Sequence, residues 1–172
     1  IRIPDGLSGT FYLFVSTDLV NAVGDINLSN NYKRYSDPIS ITMTPASDLA
    51  VVSFTPPSTA MMGQPISIPW AVKNIGVGEV RELYWYDAIY LSEDSVLQST
   101  DRRWGVKAGY KPLLPNATYL DTLEVIVPYI TPGDYYLILN IDNRNDVYEA
   151  GAESNNRMVV PITLNPQPPS DL

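Results

Sequence analysis

Apolar and polar residues alternate along much of the chain. In the stretch 65–74 every second residue is apolar, from Ile66 through Trp70 to Val72, and the same period returns in the stretch 117–127. A period of two in segments rich in Val, Ile, Tyr and Trp predicts half-buried β-strands. The pattern predicts strands near 48–54, 65–74, 81–92, 117–127, 134–142 and 156–164, and a shorter strand around 101–107.

Proline and glycine clusters separate these segments. The clearest are Thr55-Pro56-Pro57, Gly76-Val77-Gly78 and Thr131-Pro132-Gly133-Asp134. Proline is tolerated at strand ends, where its missing N–H is not needed. Helical periodicity is nearly absent. Six or seven short strands without a helix between them predict an all-β sandwich.

The sequence matches itself at a spacing of 123 to 125 residues. The matching pairs include Gly9 with Gly133, Phe11-Tyr12-Leu13 with Tyr135-Tyr136-Leu137, Asp18 with Asp142, Asn30-Asn31 with Asn155-Asn156, and Ser47-Asp48-Leu49 with Ser170-Asp171-Leu172. Self-similarity at a fixed period indicates a repeat architecture. It predicts that residues 1–46 are the C-terminal part of one β-sandwich repeat. Residues 47–168 are then a complete repeat, and residues 169–172 begin the next one.

The partial repeat 1–46 has only two predicted strands, near 9–17 and 31–43. Two strands with an exposed apolar face are marginally stable in water. They require completion by upstream residues of a longer polypeptide, by a strand from another chain, or by packing on the full repeat. A truncated array and strand donation between chains both remain open. The Pro-rich stretches 44–47 and 165–170 favour stiff linkers between repeats.

Charge and composition exclude several classes of function. The chain of 172 residues has 11 Lys and Arg against 19 Asp and Glu, a formal net charge of −8, which disfavours binding to nucleic acid. It contains neither His nor Cys, so Ser–His and Cys–His nucleophile pairs, disulfides and thiolate or imidazole zinc sites are excluded. No apolar run approaches the ~20 residues of a membrane helix, so no membrane insertion is expected in this segment.

The stretch 142–156 concentrates carboxylates and amides in one predicted loop between strands. Calcium binds 6–8 oxygen ligands of these types in irregular geometries. The candidate calcium ligands are Asp142, Asn145, Glu149, Glu153 and Asn155. The spacing differs from that of an EF-hand loop. The alternative is that these side chains only cap loop backbone, which Asn, Asp and Gly also favour.

Two further groups of residues are candidates for function. The second acidic group comprises Asp87, Glu93, Asp94 and Asp101, of which Glu93-Asp94 is expected to form a turn. The consecutive Tyr84, Trp85 and Tyr86 must point alternately in and out of a strand, and with Trp104 and Tyr110 they are candidates for a sugar-stacking platform. The alternative for these rings is inter-domain contact or cross-strand pairing. Trp70 is predicted to anchor the core.

A set of short motifs spans residues 47–164, and its tail recurs in 9–43. It comprises Asp48-Leu49, Pro56, Gly63, the runs 66–76 (Ile-Ser-Ile-Pro-Trp-Ala-Val-Lys-Asn-Ile-Gly) and 85–94 (Trp-Tyr-Asp-Ala-Ile-Tyr-Leu-Ser-Glu-Asp), Gly133-Asp134-Tyr135-Tyr136-Leu137, Asp142, Val147, Glu149, Glu153 and Asn155-Asn156. This set resembles the CARDB domains, a cell-adhesion-related family of bacterial extracellular modules. In the first copy, Leu28 stands where the second has Glu153, so only Asp18 and Asp25 remain of the acidic pattern.

The resemblance implies an immunoglobulin-like sandwich, usually in tandem, on large secreted or surface proteins. The predicted fold is therefore an all-β, immunoglobulin-like antiparallel β-sandwich in tandem repeats. The expected function is that of a structural or adhesive module of a tandem-repeat extracellular bacterial surface protein or fibre. Stiffening by calcium and completion by strand exchange between neighbours are two further hypotheses, each with the alternative given above.

The expected partners are neighbouring repeats, other copies of the chain, and a surface ligand that is a protein or a glycan. The expected location is secreted or at the cell surface. No catalytic residue is predicted, the chain is not expected to be an enzyme, and calcium is the one candidate cofactor. The alternative function is a carbohydrate- or protein-binding accessory module of a secreted hydrolase.

Overall fold

The computed structural model describes residues 3–109 and 112–168, and these contain β-strands and short turns of 3₁₀ helix. Residues 169–172, predicted to begin the next repeat, lie outside the described residues. None of the helices in the described ranges could span a bilayer. The strands are β1 (Gly9–Phe11), β2 (Phe14–Ser16), β3 (Tyr32–Arg34), β4 (Ile39–Ile41), β5 (Leu49–Phe54), β6 (Thr59–Met61), β7 (Pro65–Asn74), β8 (Trp85–Ser92), β9 (Arg102–Gly109), β10 (Thr118–Ile126), β11 (Gly133–Asn140) and β12 (Arg157–Asn165).

The chain divides into two compact units, Ile1–Thr44 and Pro45–Leu172. In the second unit, one sheet has the order β10-β7-β5 and the other has the order β6-β12-β11-β8-β9. The core lies between the sheets and contains Trp70, Ile89 and Leu137, each at most 2% exposed. The all-β sandwich is thus confirmed, and Trp70 is the core residue that its strand parity predicts.

The first strand of the sandwich is divided between the two sheets. β5 pairs with β7 in one sheet, whereas β6 pairs with β12 in the other. Pro56 and Pro57 lie between β5 and β6 and lack the N–H that would continue a ladder. The β6–β12 pair is parallel, an exception to the predicted antiparallel pairing. β6 escapes sequence prediction because three residues cannot show an alternation.

Side chains close the seam between β9 and β10, which are edge strands of opposite sheets. Lys107 Nζ pairs with Asp121 and donates to Thr122 O at 2.7 Å. Trp104 Nε1 donates to Ile126 O at 3.2 Å. An edge strand leaves main-chain groups without ladder partners, so these donors occupy carbonyls that the sheet itself does not use.

The predicted strand 81–92 begins only at Trp85, and residues 75–84 before it form a loop that begins with a turn after Asn74. Val80 makes an isolated bridge to Leu113 instead. The buried Asn74 holds this turn, because its amide nitrogen donates to Gly78 O at 2.8 Å and to Leu113 O at 3.0 Å. A fully buried amide is stable only when it is bonded in this way.

The first unit consists of short strand pairs. β1 pairs with β4 and β2 pairs with β3, so the predicted strands 9–17 and 31–43 are each interrupted. Leu13, Phe14 and Val15 are each more than half exposed. The unit therefore buries little of its own apolar surface, and its assignment as part of a repeat stays a prediction.

We expect Leu137→Ala to destabilise the second unit by about 2–5 kcal/mol, because it leaves a cavity between the sheets. Leu120→Ala is the matched control, since Leu120 is 80% exposed on the outer face of β10 and its truncation should cost under about 0.5 kcal/mol. Urea unfolding of the full chain, followed by tryptophan fluorescence, measures both. Equal losses in the two variants would contradict the core described above.

Candidate functional site

The loop between β11 and β12 is folded by its own polar side chains. Asp142 accepts hydrogen bonds from the backbone N–H groups of Asp146 and Val147, both at 2.9 Å. Asp142 and Asn145 adopt left-handed φ values of 42° and 56°. Asp and Asn tolerate this conformation because their short side chains bond nearby backbone. The sequence of the loop therefore encodes its tight course.

Three carboxylates meet inside this loop. One oxygen from each of Asp142, Glu149 and Glu153 lies within 4.8 Å of the others. Asp142 and Glu149 are buried, whereas Glu153 is exposed. Burial raises the pKa of Glu149 to about 7, and the nearby Glu153 adds to the rise. The pKa of Asp142 is also raised, chiefly by burial. Like charges this close require a proton or a cation between them.

Amide side chains surround the three carboxylates. Asn156 Nδ2 donates to Glu149 Oε2 at 2.5 Å and to Glu153 Oε2 at 2.9 Å. With its amide nitrogen turned toward Glu153, Asn145 donates to both carboxylate oxygens, at 2.8 and 3.1 Å. The Oδ1 atoms of Asn155 and Asn156 are buried without a hydrogen-bond partner. Buried acceptors of this kind are rare in folded proteins, and a cation is one group that would satisfy them.

Long-range hydrogen bonds fix the loop to the rest of the sandwich. Glu149 Oε1 accepts from the backbone N–H of Leu49, and Ser47 Oγ donates to Tyr148 O at 3.1 Å. Asn155 Nδ2 donates to Asp48 Oδ1 at 2.7 Å. The loop thus holds the first residues of the second unit, immediately after the boundary between Thr44 and Pro45.

The candidate ligands predicted from sequence occupy this loop in two groups. One group lies together and comprises Asp142, Asn145, Glu149 and Glu153. The other is Asn155, whose amide nitrogen is directed to Asp48. Asn156 was not among the predicted ligands, although it bonds two of the carboxylates; the Asn-Asn pair was its only signal in the sequence. The capping alternative is also visible, since Asp142 and Glu149 accept from backbone N–H groups. Every carboxylate oxygen of these two residues accepts a hydrogen bond, and one oxygen of each also lies within 4.8 Å of the other and of Glu153.

The second acidic group predicted from sequence does not form one cluster. Glu93, Asp94 and Asp101 line an open cleft, and Asp94 Oδ1 accepts from Val96 N at 2.7 Å, as expected of a turn. Asp87 is 2% exposed and points between the sheets. Including it in the group was wrong because alternation on β8 places Asp87 on the inner face.

Asp87 is the centre of a buried hydrogen-bond network. Its Oδ2 accepts from Trp70 Nε1 at 2.9 Å and from the Tyr119 hydroxyl at 2.6 Å. Its Oδ1 accepts from the backbone N–H of Asp142 at 3.2 Å. Burial raises the pKa of Asp87 to about 6, although these three donors oppose the shift. The network connects the core directly to the acidic loop.

Among the described residues, the aromatic side chains considered for sugar stacking do not form an exposed platform. Trp85 is only 2% exposed, and its Nε1 donates to Tyr119 Oη at 3.3 Å. Tyr84 is exposed, whereas the ring of Tyr86 is covered by the Arg144 guanidinium at 3.8 Å. The rings of 84–86 do alternate as predicted, but the parity turns Trp85 inward. Tyr110 lies outside the described residues.

Comparison with known sequences gives one family. The sequence profile of the CARDB family matches residues 46–160. No curated protein matches the chain. The matched range contains the sandwich from β5 into β12 and the whole acidic loop.

Solved CARDB domains have a similar fold. A crystal structure of a CARDB domain from Pyrococcus furiosus in complex with di-metal ions has a TM-score of 0.53 at 18% identity, and the match covers 70% of this chain and 90% of that one. A solution NMR structure of a CARDB domain from Pyrococcus furiosus has a TM-score of 0.53 at 20% identity and covers 70% and 97%. A Listeria innocua β-glucosidase has a TM-score of 0.45 at 12% identity and covers 76% and 17%, a likeness too low to inform the fold or function of this chain.

We expect the metal-free chain to be more stable at pH 5 than at pH 7.5, with a melting temperature about 5 °C or more higher. The pKa of Asp87 rises from 3.8 to about 6 and that of Glu149 from 4.5 to about 7. The folded state therefore retains protons that the unfolded state releases, and stability falls between about pH 4 and pH 7. Thermal unfolding in a chelator measures the difference.

Glu149→Gln should reduce this pH dependence because it removes one of the three carboxyls whose pKa is raised. Glu124→Gln, at an exposed position of β10, is the control and should retain the full dependence. A melting temperature that rises from pH 5 to pH 7.5 would contradict the assignment.

Proposed function

The chain belongs to the CARDB family, and from that premise we propose that it is an adhesion-related link in a tandem array of β-sandwiches, secreted or at the cell surface. CARDB is a non-catalytic, adhesion-related domain family. The chain accordingly acts through its shape and its contacts with neighbouring modules, and it is not an enzyme.

The proposal of a tandem array rests on one observation, which is that the same hairpin geometry occurs twice in the chain. In the first unit Gly9 pairs with Ile41, and in the second Gly133 pairs with Leu164. At the other end of the hairpins, Ser16 pairs with Tyr32 and Asn140 pairs with Arg157. These pairs stand at the 123–125-residue spacing of the sequence repeat, so the two hairpins share one register.

The loops of the two hairpins also agree. Asp18 has a φ of 44° and accepts from the backbone of Ala22 and Val23, as Asp142, with a φ of 42°, accepts from Asp146 and Val147. A 3₁₀ turn follows in each loop, at Leu28–Asn30 and at Glu153–Asn155. The agreement supports descent of both hairpins from one repeated module.

The first hairpin lacks the covering that the second one has. Leu137 and Leu139 are fully buried beneath the other strands of the sandwich. Their equivalents in the first unit, Leu13 and Val15, are 56% and 66% exposed. We therefore assign the covering of Leu13 and Val15 to the remaining strands of a CARDB-like sandwich. Those strands come from an adjoining repeat or, by strand exchange, from another copy.

A chimera of the full chain tests this assignment. Residues 133–165 are replaced by residues 9–42, so that the first hairpin is placed where the second normally completes the sandwich. Because the register and the core positions agree, we expect cooperative urea unfolding to be retained at reduced stability. The matched control carries Leu13→Asp in the transplanted hairpin and should lose that transition, since an unpaired charge would replace a core leucine.

Failure of the unmodified chimera to fold cooperatively would count against the repeat. Light scattering of the parent chain distinguishes the two sources of covering strands. A concentration-dependent dimer indicates exchange between copies, and a monomer indicates an adjoining repeat.

The acidic loop supplies a site for a divalent cation, which we assign as calcium. Asp142, Glu149 and Glu153 offer carboxylate oxygens, and Asn145 and Asn155 are the amide candidates. Calcium accepts many oxygen ligands in irregular geometry, whereas magnesium requires a near-octahedral set. The di-metal ions of the Pyrococcus furiosus domain show that a CARDB domain can hold metal.

Calcium bound here would stiffen the joint that precedes the sandwich. The same loop bonds Ser47, Asp48 and Leu49, which follow the unit boundary directly. A cation that neutralises the three carboxylates removes their repulsion and fixes the side chains that hold this segment. Removal of the cation would loosen the segment.

We expect calcium at 100 times its dissociation constant to stabilise the chain by about 2.7 kcal/mol relative to a chelator. Glu153→Gln should weaken binding because it removes a carboxylate from the site, while Glu124→Gln should leave it unchanged. Isothermal calorimetry and thermal unfolding at pH 7.5 measure both effects, with magnesium as the comparison ion. Absence of a melting shift at millimolar calcium would exclude the site.

A further inference from the structure

We propose that β6 and β12 form a force-bearing clamp through which the second unit resists extension by its two chain ends. The inference rests on the proposed function for its setting, because a link in an adhesive array is loaded through those ends. Its physical basis is independent of the array and lies in the directions in which β5, β6, β11 and β12 run.

The chain enters and leaves the sandwich at opposite ends. Ser47 and Leu49 bond the loop that joins β11 to β12, beside the pair Asn140 and Arg157. The chain leaves after Asn165, at the far end of the same hairpin, where Gly133 pairs with Leu164. At a rise of about 3.3 Å per residue, the two points are separated by roughly 25 Å along the strands.

Tension applied through these points makes β6 and β12 slide against each other. β5 runs away from the acidic loop, and β6 continues in that direction, parallel to β12. Tension on the N-terminal side draws β6 back toward the loop, whereas tension beyond Asn165 draws β12 away from it. The hydrogen bonds between the two strands are therefore loaded together. A hairpin pulled at two adjacent ends opens one pair at a time instead.

Hydrogen bonds at both ends of the clamp flank apolar side chains that are buried. Thr163 N donates to Ser58 O at 2.9 Å, and Met62 N donates to Asn165 O at 3.0 Å. Ala60, Met62 and Leu164 are at most 8% exposed. Sliding of the strands would break these bonds together and would also expose the buried side chains, so both losses oppose it.

The segment that follows β6 is anchored as well. Gly63 N donates to Val127 O, and Val127 N donates to Gln64 O, each at 2.9 Å. This reciprocal pair connects the residues after β6 to those after β10, in the opposite sheet. β6 is therefore held along its length by β12 and at its end by the second sheet.

The direction of pulling tests the clamp. The full chain is stretched in a single-molecule instrument by handles at its two termini. It is then stretched by handles at Leu83→Cys and Pro112→Cys, which flank the adjacent ends of β8 and β9, where Trp85 pairs with Gly109. We expect a severalfold higher unfolding force through the termini, with a gain of roughly 400 Å as Leu49 to Asn165 extend. Equal forces in the two directions would overturn the clamp.

Two substitutions separate mechanical strength from equilibrium stability. Ala60→Pro disrupts the β6–β12 ladder, because proline lacks an N–H and its ring is poorly accommodated there. Leu137→Ala lowers the free energy of unfolding by a core cavity outside the clamp. We expect Ala60→Pro to lower the force through the termini more than Leu137→Ala does, with the free energies measured in urea. An equal or larger loss of force in Leu137→Ala would overturn the clamp.

These measurements do not depend on the array. A low unfolding force through the termini would contradict the clamp but would not affect the result of the chimera experiment. Failure of the chimera to fold would contradict the repeat but would not change the force that a single sandwich resists.

Discussion

The buried carboxylate of Asp87 is the interaction on which the site depends. It accepts from Trp70 on β7, from Tyr119 on β10 and from the backbone of Asp142 in the acidic loop, and so connects both sheets to that loop. A carboxylate removed from water is strongly destabilising unless donors surround it. The three donors meet that requirement only when the sheets and the loop are assembled together. The position of Asp142 is therefore fixed by the core as well as by the loop itself.

Structural features that depend only on residues close together in the chain could be predicted from the sequence. The strand 65–74 was predicted with its observed bounds, because ten alternating residues give a clear period. The acidic loop was recognisable because its ligand types lie within fifteen residues of one another. In contrast, the contacts of Glu149 with Leu49 and of Asn155 with Asp48 join residues about a hundred positions apart. A single sequence contains no signal for such pairs.

The burial of Asp87 and of Trp85 has one physical origin. Asp87 was grouped with Glu93 and Asp94, and Trp85 was one of the rings considered for sugar stacking, yet both residues face the core beside Ile89. Residues 85, 87 and 89 have one parity, so a single buried member places all three on the inner face. Composition suggested function for Asp87 and Trp85, whereas strand parity determined their burial. Parity is the stronger constraint because a strand cannot turn one residue without turning the others.

Comparison of the two hairpins distinguishes structural features that a short segment determines by itself from features that need the whole sandwich. Both loops have an aspartate at a left-handed position, its two bonds to backbone N–H groups and a following 3₁₀ turn, although Asp18 is half-buried and Asp142 is buried. Loop geometry is thus a local property. The convergence of three carboxylates requires Glu149 and Glu153, and the first hairpin has Leu28 at the place of Glu153. The proposed cation site therefore needs carboxylates that the second hairpin has and the first does not combine.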